Sequence, residues 1–188
     1  MDHSNGVTYL LQAALNGEGL SDEQAIHQVI STLREVAARI MFKERNDHLL
    51  QPTALVNEAW LRLAGQEGIQ LKSRIHFTAL ATRVMRRILV DQARARDAGK
   101  RANQRTNISL EHLREKGQNP FDLLALDEEL SLLEKLDARQ CHIAQMSFFG
   151  GMTGAEIALV LELSPALVSQ ELKNARVWLI TRLQRGGP

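Results

Sequence analysis

Residues 153–179 read TGAEIALVLELSPALVSQELKNARVWL, and two helix starts are written into them. Thr153-Gly-Ala-Glu156 has the hydroxyl and the carboxylate of a capping box, in which each satisfies a backbone N–H left open at a helix start. Ser164-Pro165 sets a capping hydroxyl before a proline at the first helical position, where a missing N–H does no harm. Between the two lies only the short turn Glu162-Leu163-Ser164. Ile157, Ala158, Val168, Leu172, Ala175 and Leu179 fall where the two helices would share a core. Helix, short turn, helix is the proportion of a DNA-binding helix-turn-helix, whose second helix enters the major groove. The second helix has muted chemistry for that task. Its first turns expose Ala166, Leu167, Ser169, Gln170 and Glu171, and no basic residue comes before Lys173 and Arg176. Gln170 suits adenine and Ser169 suits base or phosphate, whereas Glu171 would repel the backbone. Pattern alone leaves DNA binding and a helical packing module both open.

Working outward, periodicity is helical almost throughout, and the expected fold class is all-α. Helices near 123–136 and 138–149 complete a second body over 123–188. Residues 102–122 (ANQRTNISLEHLREKGQNPFD) are polar, lack apolar periodicity and end on Asn-Pro, which reads as a flexible linker. The first body, 1–101, shows helices over 7–16, about 22–44, from Pro52 to the stop at Gly65, and about 74–98. In the second of these Ile26, Val29, Ile30, Leu33, Val36, Ala37 and Ile40 repeat at threes and fours. Two small helical domains therefore follow one another, the second near the lower size limit for independent stability.

Charge is gathered in one place. The chain has a formal net charge of +1, yet residues 83–105 hold eight Lys/Arg against two Asp/Glu. On a wheel at about 100° per residue, Arg87, Arg94 and Arg101 fall within about 40° of Arg83, with Arg86 about 60° to the other side. Phe77, Ala81, Val84, Met85, Ile88 and Leu89 occupy the opposite arc. An apolar face against its own domain with an arginine ridge outward suits phosphates, because each guanidinium presents a planar fork of donors. The alternative is an ordinary solvated face.

Other classes fall away. At 44% hydrophobic and 24% charged residues the chain has the composition of a globular protein. No apolar run approaches a bilayer span and no leader pattern opens the sequence, so a soluble cytoplasmic protein without membrane insertion is expected. The single cysteine, Cys141, and six scattered histidines offer no metal-ligand spacing. No phosphate-binding glycine loop or nucleophile elbow is present, so no cofactor and no enzyme activity are expected.

The motifs QPTALVNEAWLRL, HFTALATRVMRRILVDQARARDAGKR, ISLEHL and FFGGMTGAEIALVLELSP resemble a subgroup of bacterial sigma-70-type factors of the extracytoplasmic-function class, over nearly the whole chain. The resemblance implies that the first body is sigma region 2 and the second region 4. It implies core RNA polymerase as partner through the β′ clamp and β flap, promoter DNA as ligand, and the catalytic magnesium held by the polymerase. In the clamp-binding helix it points to Leu55, Asn57, Glu58, Trp60, Leu61 and Arg62, although Leu55 and Trp60 equally suit a core. Ile75, His76 and Phe77 correspond to where the family opens the −10 element and holds a flipped base. Arg83, Arg86, Arg87, Arg94 and Arg101 would track the backbone there. In the second body the DNA contacts would be Ser169, Gln170, Lys173 and Arg176.

Two departures from the family stand out. Where many members carry an acidic cluster before the clamp-binding helix, this chain has the neutral Leu50-Gln51-Pro52-Thr53-Ala54. A phosphate on Thr53 would add about −1.5 to −2 charges at a helix N-terminus, so a Ser/Thr kinase or an anti-sigma factor is a candidate regulator; the plain alternative is a helix cap. The weakly basic recognition helix puts −35 reading in question. The leading reading is an alternative sigma factor that directs core polymerase to specific promoters and assists −10 melting. Beside it stand a stand-alone helix-turn-helix regulator and a degenerate sigma acting as a protein-interaction module.

Overall fold

A computed structural model describes residues 11–13, 23–41, 51–64, 70–99, 107–108 and 121–185. Residues 11–13 are helical and bury Leu11, within the helix expected over 7–16, whose remainder lies outside the described residues. Helix α1 (Glu23–Met41), α2 (Pro52–Ala64) and α3 (Arg74–Gly99) form the N-terminal half. α1 buries Val29, Leu33, Val36, Ala37 and Ile40, the row set by its spacing of threes and fours. α2 begins at Pro52. The Ser73 hydroxyl receives the His76 backbone N–H at 3.1 Å, so Ser73 caps the start of α3.

Strands β1 (Asn107–Ile108) and β2 (Phe121–Asp122) pair antiparallel, Asn107 opposite Asp122 and Ile108 opposite Phe121. Both lie within the segment 102–122 expected to be a linker, the second at its end. Periodicity did not point to them, because a two-residue strand has no alternation to read. Apart from this pair the regular elements among the described residues are all helices.

The C-terminal half is α4 (Leu123–Leu136), α5 (Ala138–Phe148), α6 (Gly154–Leu161) and α7 (Pro165–Arg185). Asp137 caps α5 by accepting from the Gln140 N–H at 2.9 Å. The capping box forms as its residues require: the Thr153 hydroxyl accepts from the Glu156 N–H at 3.2 Å, and a Glu156 carboxylate oxygen accepts from the Thr153 N–H at 2.8 Å. Ser164 accepts from the Leu167 N–H at 3.2 Å. Glu162, at the end of α6, is in the left-handed region (φ 56°, ψ 42°), where the chain turns into α7.

The halves are packed on each other. Leu123, Leu126, Leu130 and Leu133 of α4 and Leu179 of α7 lie in one buried cluster with Met85 and Leu89 of α3. A second cluster joins Ala79 of α3 to Ile143, Met146, Met152, Ile157 and Val168. Close approach is possible at Gly150, where a Cβ would stand 2.8 Å from the Thr82 hydroxyl and 2.6 Å from the Met146 carbonyl. Its neighbour Gly151 takes φ +59°.

Candidate nucleic-acid interface

α3 carries the basic ridge, and its neighbours divide that ridge in two. Arg83 and Arg87 are exposed and have no ion-pair partner among the described residues. Arg94 keeps 60% of its side chain exposed while donating from Nη2 to Asp127 at 2.9 Å. Arg86 is different. Its side chain is 14% exposed, it pairs with the other Asp127 oxygen, and its guanidinium carbon sits 5.8 Å from the centre of the Phe149 ring. Its Nε is buried with no hydrogen-bond partner among the described residues. The outward ridge expected from the wheel therefore holds for Arg83, Arg87 and Arg94 and is corrected for Arg86. Arg101 lies outside the described residues.

The physical reason is a second packed flank on α3. With Arg83 as zero, Ala79, Arg86 and Thr82 fall at about −40°, −60° and −100°. Ala79 and Thr82 are both buried, and small residues at this spacing let α5 and α6 come close. Arg86 is carried into the contact with them. A cleft of about 960 Å³ opens beside it, lined by Arg62, Arg83, Arg86, Arg87, Arg94 and Asp127 among others. Arg62 donates to Glu58 and to Asp91 at 2.9 Å each, so it ties α2 to α3. These two carboxylates, Asp91 foremost, hold the Arg62 guanidinium above its ordinary value.

At the start of α3, His76 Nδ1 accepts from the Lys72 N–H at 3.2 Å. Partial burial, helped by the Lys72 charge, lowers its pKa from the ordinary 6.5, so the ring is neutral near pH 7. Ile75 is half-buried against the second cluster. Phe77 is fully buried in the core, as is Leu55 of α2. For these two the expected surface contact is corrected: each lies on the apolar face of its helix, which the fold covers. Trp60 is half-buried on the core, Glu58 and Arg62 are half-buried, and Asn57 and Leu61 are exposed, Leu61 at 67%. Thr53 is exposed in the first turn of α2, which contains no acidic residue.

α7 presents Ser169, Gln170, Lys173 and Arg176 on its exposed side. Gln170 donates to the Asn174 side chain at 3.0 Å. Glu171 does not share that surface. It is buried, accepting from Arg139 at 2.9 Å and from the Gln140 amide at 2.7 Å. The expected repulsion of a DNA backbone by Glu171 is thus corrected; the acid is turned inward and paired. The chain thus holds both a helix-turn-helix whose second helix exposes no acid and a ridge of exposed arginines on α3, and a family model described as ECF sigma factor matches residues 4–185. The chain belongs to the ECF sigma factor family.

As a sigma factor it is a DNA-binding component of transcription initiation by RNA polymerase. Among solved structures, the sigma factor RpoE from Bartonella quintana, crystallised with the anti-sigma factor NepR, aligns at 17% identity over 88% of this chain and 98% of that one, with a TM-score of 0.37. No curated protein matches. Asp127, Phe149, Arg39 and Thr82 belong to the surroundings of the sigma factor's basic ridge and were not singled out from sequence. The usable signal was the run Ala79, Thr82, Arg86, whose small members mark a flank that another helix can approach. Cys141 is buried, donates to the Leu130 carbonyl at 3.2 Å, and is pushed up to about 11 by burial. That leaves it a packing residue rather than a nucleophile. No group of three or more His, Cys, Asp or Glu among the described residues is placed to hold a metal ion. None of the described helices is long and apolar enough to cross a membrane.

Proposed function

We propose that the chain directs core RNA polymerase to specific promoters and helps to open the −10 element, with residues 1–101 acting as region 2 and 123–188 as region 4. The observation that carries this reading is the ridge of Arg83, Arg87 and Arg94, exposed on a helix whose opposite face is locked in the core by Phe77, Met85 and Ile88. Guanidiniums fixed in a row on a rigid rod suit a sugar-phosphate track, and Arg101 would extend it. His76, neutral and half-buried at the start of the same helix, is suited to line a pocket for an extruded base by hydrogen bonding rather than by charge. Asn57, Leu61 and the free part of Trp60 offer the polymerase clamp a mixed apolar and polar patch.

Support for −35 reading by α7 comes from its face of Ser169, Gln170, Lys173 and Arg176, free of acid once Glu171 is withdrawn. The β flap is the polymerase contact that fits this half. The chain works in the cytoplasm and leaves bond-making to the polymerase. Control acts at Thr53. Its exposed hydroxyl sits in a first turn without acid, where a phosphate would supply about −1.5 to −2 charges at the positive end of the helix. The competing form of control is an anti-sigma protein that covers the same surfaces.

Run-off transcription with purified core polymerase on genomic fragments, with and without the protein, tests the function. New promoter-dependent transcripts are expected. Tight duplex binding without polymerase would favour a stand-alone regulator, and polymerase binding without transcripts a degenerate sigma. Comparing Thr53→Glu with Thr53→Ala for core binding tests the switch; equal binding of both removes it.

A further inference from the structure

The cleft of about 960 Å³ beside Arg86 is a trough with a basic floor. With Arg83 as zero on α3, Arg86, Val90, Arg94, Arg87 and Asp91 fall at about −60°, −20°, +20°, +40° and +80°, and all of them line the cleft. Each edge of that arc is tied to another helix. Asp91 at one edge accepts from Arg62 of α2 at 2.9 Å, and Arg86 at the other donates to Asp127 of α4. Val90, in mid-arc, is only 3% exposed, as a residue at the bottom of a trough should be.

Between the tied edges the floor is not neutralised. Arg83 and Arg87 are exposed, one helical turn apart, and have no ion-pair partner among the described residues. Arg94 bonds Asp127 through Nη2 alone, so most of its donors stay open on a side chain that is 60% exposed. Arg86 keeps a buried Nε without an acceptor among the described residues, so even the wall is short of negative charge. Glu134, also in the lining, bonds none of these arginines and stands 3.7 Å from His142 Nε2, so it repels anions from its own end of the trough. Leu61 of α2, 67% exposed, and Leu80 add apolar surface to the same cleft.

We infer that this trough is a binding site for a small polyphosphate, whose chain lies along Arg83, Arg87 and Arg94. Its volume is that of small-molecule sites, which run to about 1,000 Å³. Guanidinium forks at i and i+4 are neighbours on the helix surface and clasp one phosphate between them; Arg94, about 10 Å further along the axis, takes another. Such a chain has two sources, an inorganic polyphosphate and a nucleoside triphosphate. They differ at Leu61 and Leu80, which give a flat base an apolar seat and give an inorganic chain nothing. A bound polyphosphate covers the arginines that the proposed function assigns to promoter DNA. That consequence rests on the reading of α3 as the promoter-facing helix; the site itself does not.

Calorimetric titration of the full chain with GTP and with inorganic tripolyphosphate, both without magnesium, tests the site. One ligand per chain is expected, with GMP bound about tenfold more weakly or worse. Arg83→Gln with Arg87→Gln should weaken binding about tenfold or more and Arg94→Gln by less. Arg34→Gln, which removes an exposed arginine of α1 outside the cleft lining, should leave it unchanged. A cooperative thermal transition confirms that each variant is folded. Leu61→Asn separates the two sources. Weaker GTP binding with tripolyphosphate spared points to a nucleotide and no change in either to an inorganic chain, and both results uphold the site. No binding of either probe to the wild type overturns the proposal, as does uptake of several ligands per chain or binding that the Arg83, Arg87 double variant leaves intact. A labelled single-stranded DNA oligonucleotide is then competed with the tighter probe. Displacement is expected; one-to-one probe binding that depends on Arg83 and Arg87 but displaces no DNA upholds the site and removes the promoter-facing reading of α3.

Discussion

The two helices proposed to face DNA in this sigma factor treat acids in opposite ways. α7 carries its own acid, Glu171, and withdraws it into a pocket made by Arg139 and Gln140. α3 has its arginines met by an acid from another helix, Asp127, delivered from 41 positions along the chain to Arg86. The helix that looked compromised by a carboxylate presents a clean surface, and the helix that looked uniformly basic is partly neutralised. A face's charge is decided by where the neighbouring carboxylates are folded, not by the count of charges along the strand.

The largest effect expected is on the underside of α3. Phe77→Ala should lower stability by about 3–5 kcal/mol in denaturant unfolding, because it empties a fully buried aromatic site. Arg83→Glu with Arg87→Glu should leave the unfolding midpoint close to wild type. A Phe77→Ala protein of normal stability that binds DNA poorly would break this division between core and ridge.

Next comes the withdrawn acid. Glu171→Ala leaves the Gln140 amide and Arg139 without their acceptor and should cost about 1–3 kcal/mol, discounted because the Arg139 side chain is about half exposed. Duplex DNA affinity should not rise. A clear gain in affinity would place Glu171 on the DNA side after all.

Acid should weaken the fold through His76 and His142. Burial lowers both, with nearby Lys72 acting on His76 and Arg83 on His142. The unfolded chain therefore takes up protons more readily, and the stability held by the neutral rings is full above their ordinary 6.5 and lost as pH falls below it. His76→Gln should flatten the dependence of unfolding on pH between neutral and mildly acid buffer; an unchanged slope would contradict the neutral ring. The smallest effect is at the turn into α7. Glu162→Gly relieves a left-handed residue and gives up only an exposed ion pair, so a small rise in Tm is expected.

Local chemistry was readable in the sequence and long-range pairing was not. Thr153-Glu156 and Ser164-Pro165 mark helix starts through bonds three residues long, and both form where the residues stand. The rows at threes and fours gave α1 and α3 their buried faces for the same reason. Leu55 and Phe77 each carried two readings, core by helical spacing and contact by motif, and the fold takes the core one, since a motif says that a residue matters without saying which way it points. Burial of Arg86 required knowing that α4 returns to α3, and inward rotation of Glu171 required Arg139 and Gln140 from α5. Only Ala79 and Thr82, small residues on the flank that Arg86 shares, hinted at the approach.

The most direct test is run-off transcription by core polymerase from one of the protein's own promoters, comparing wild type with the Arg83→Glu, Arg87→Glu double variant. Core binding and thermal unfolding are measured alongside. The expected result is loss of initiation with polymerase binding and folding intact. Normal initiation by the double variant would contradict the claim that α3 lies along promoter phosphates.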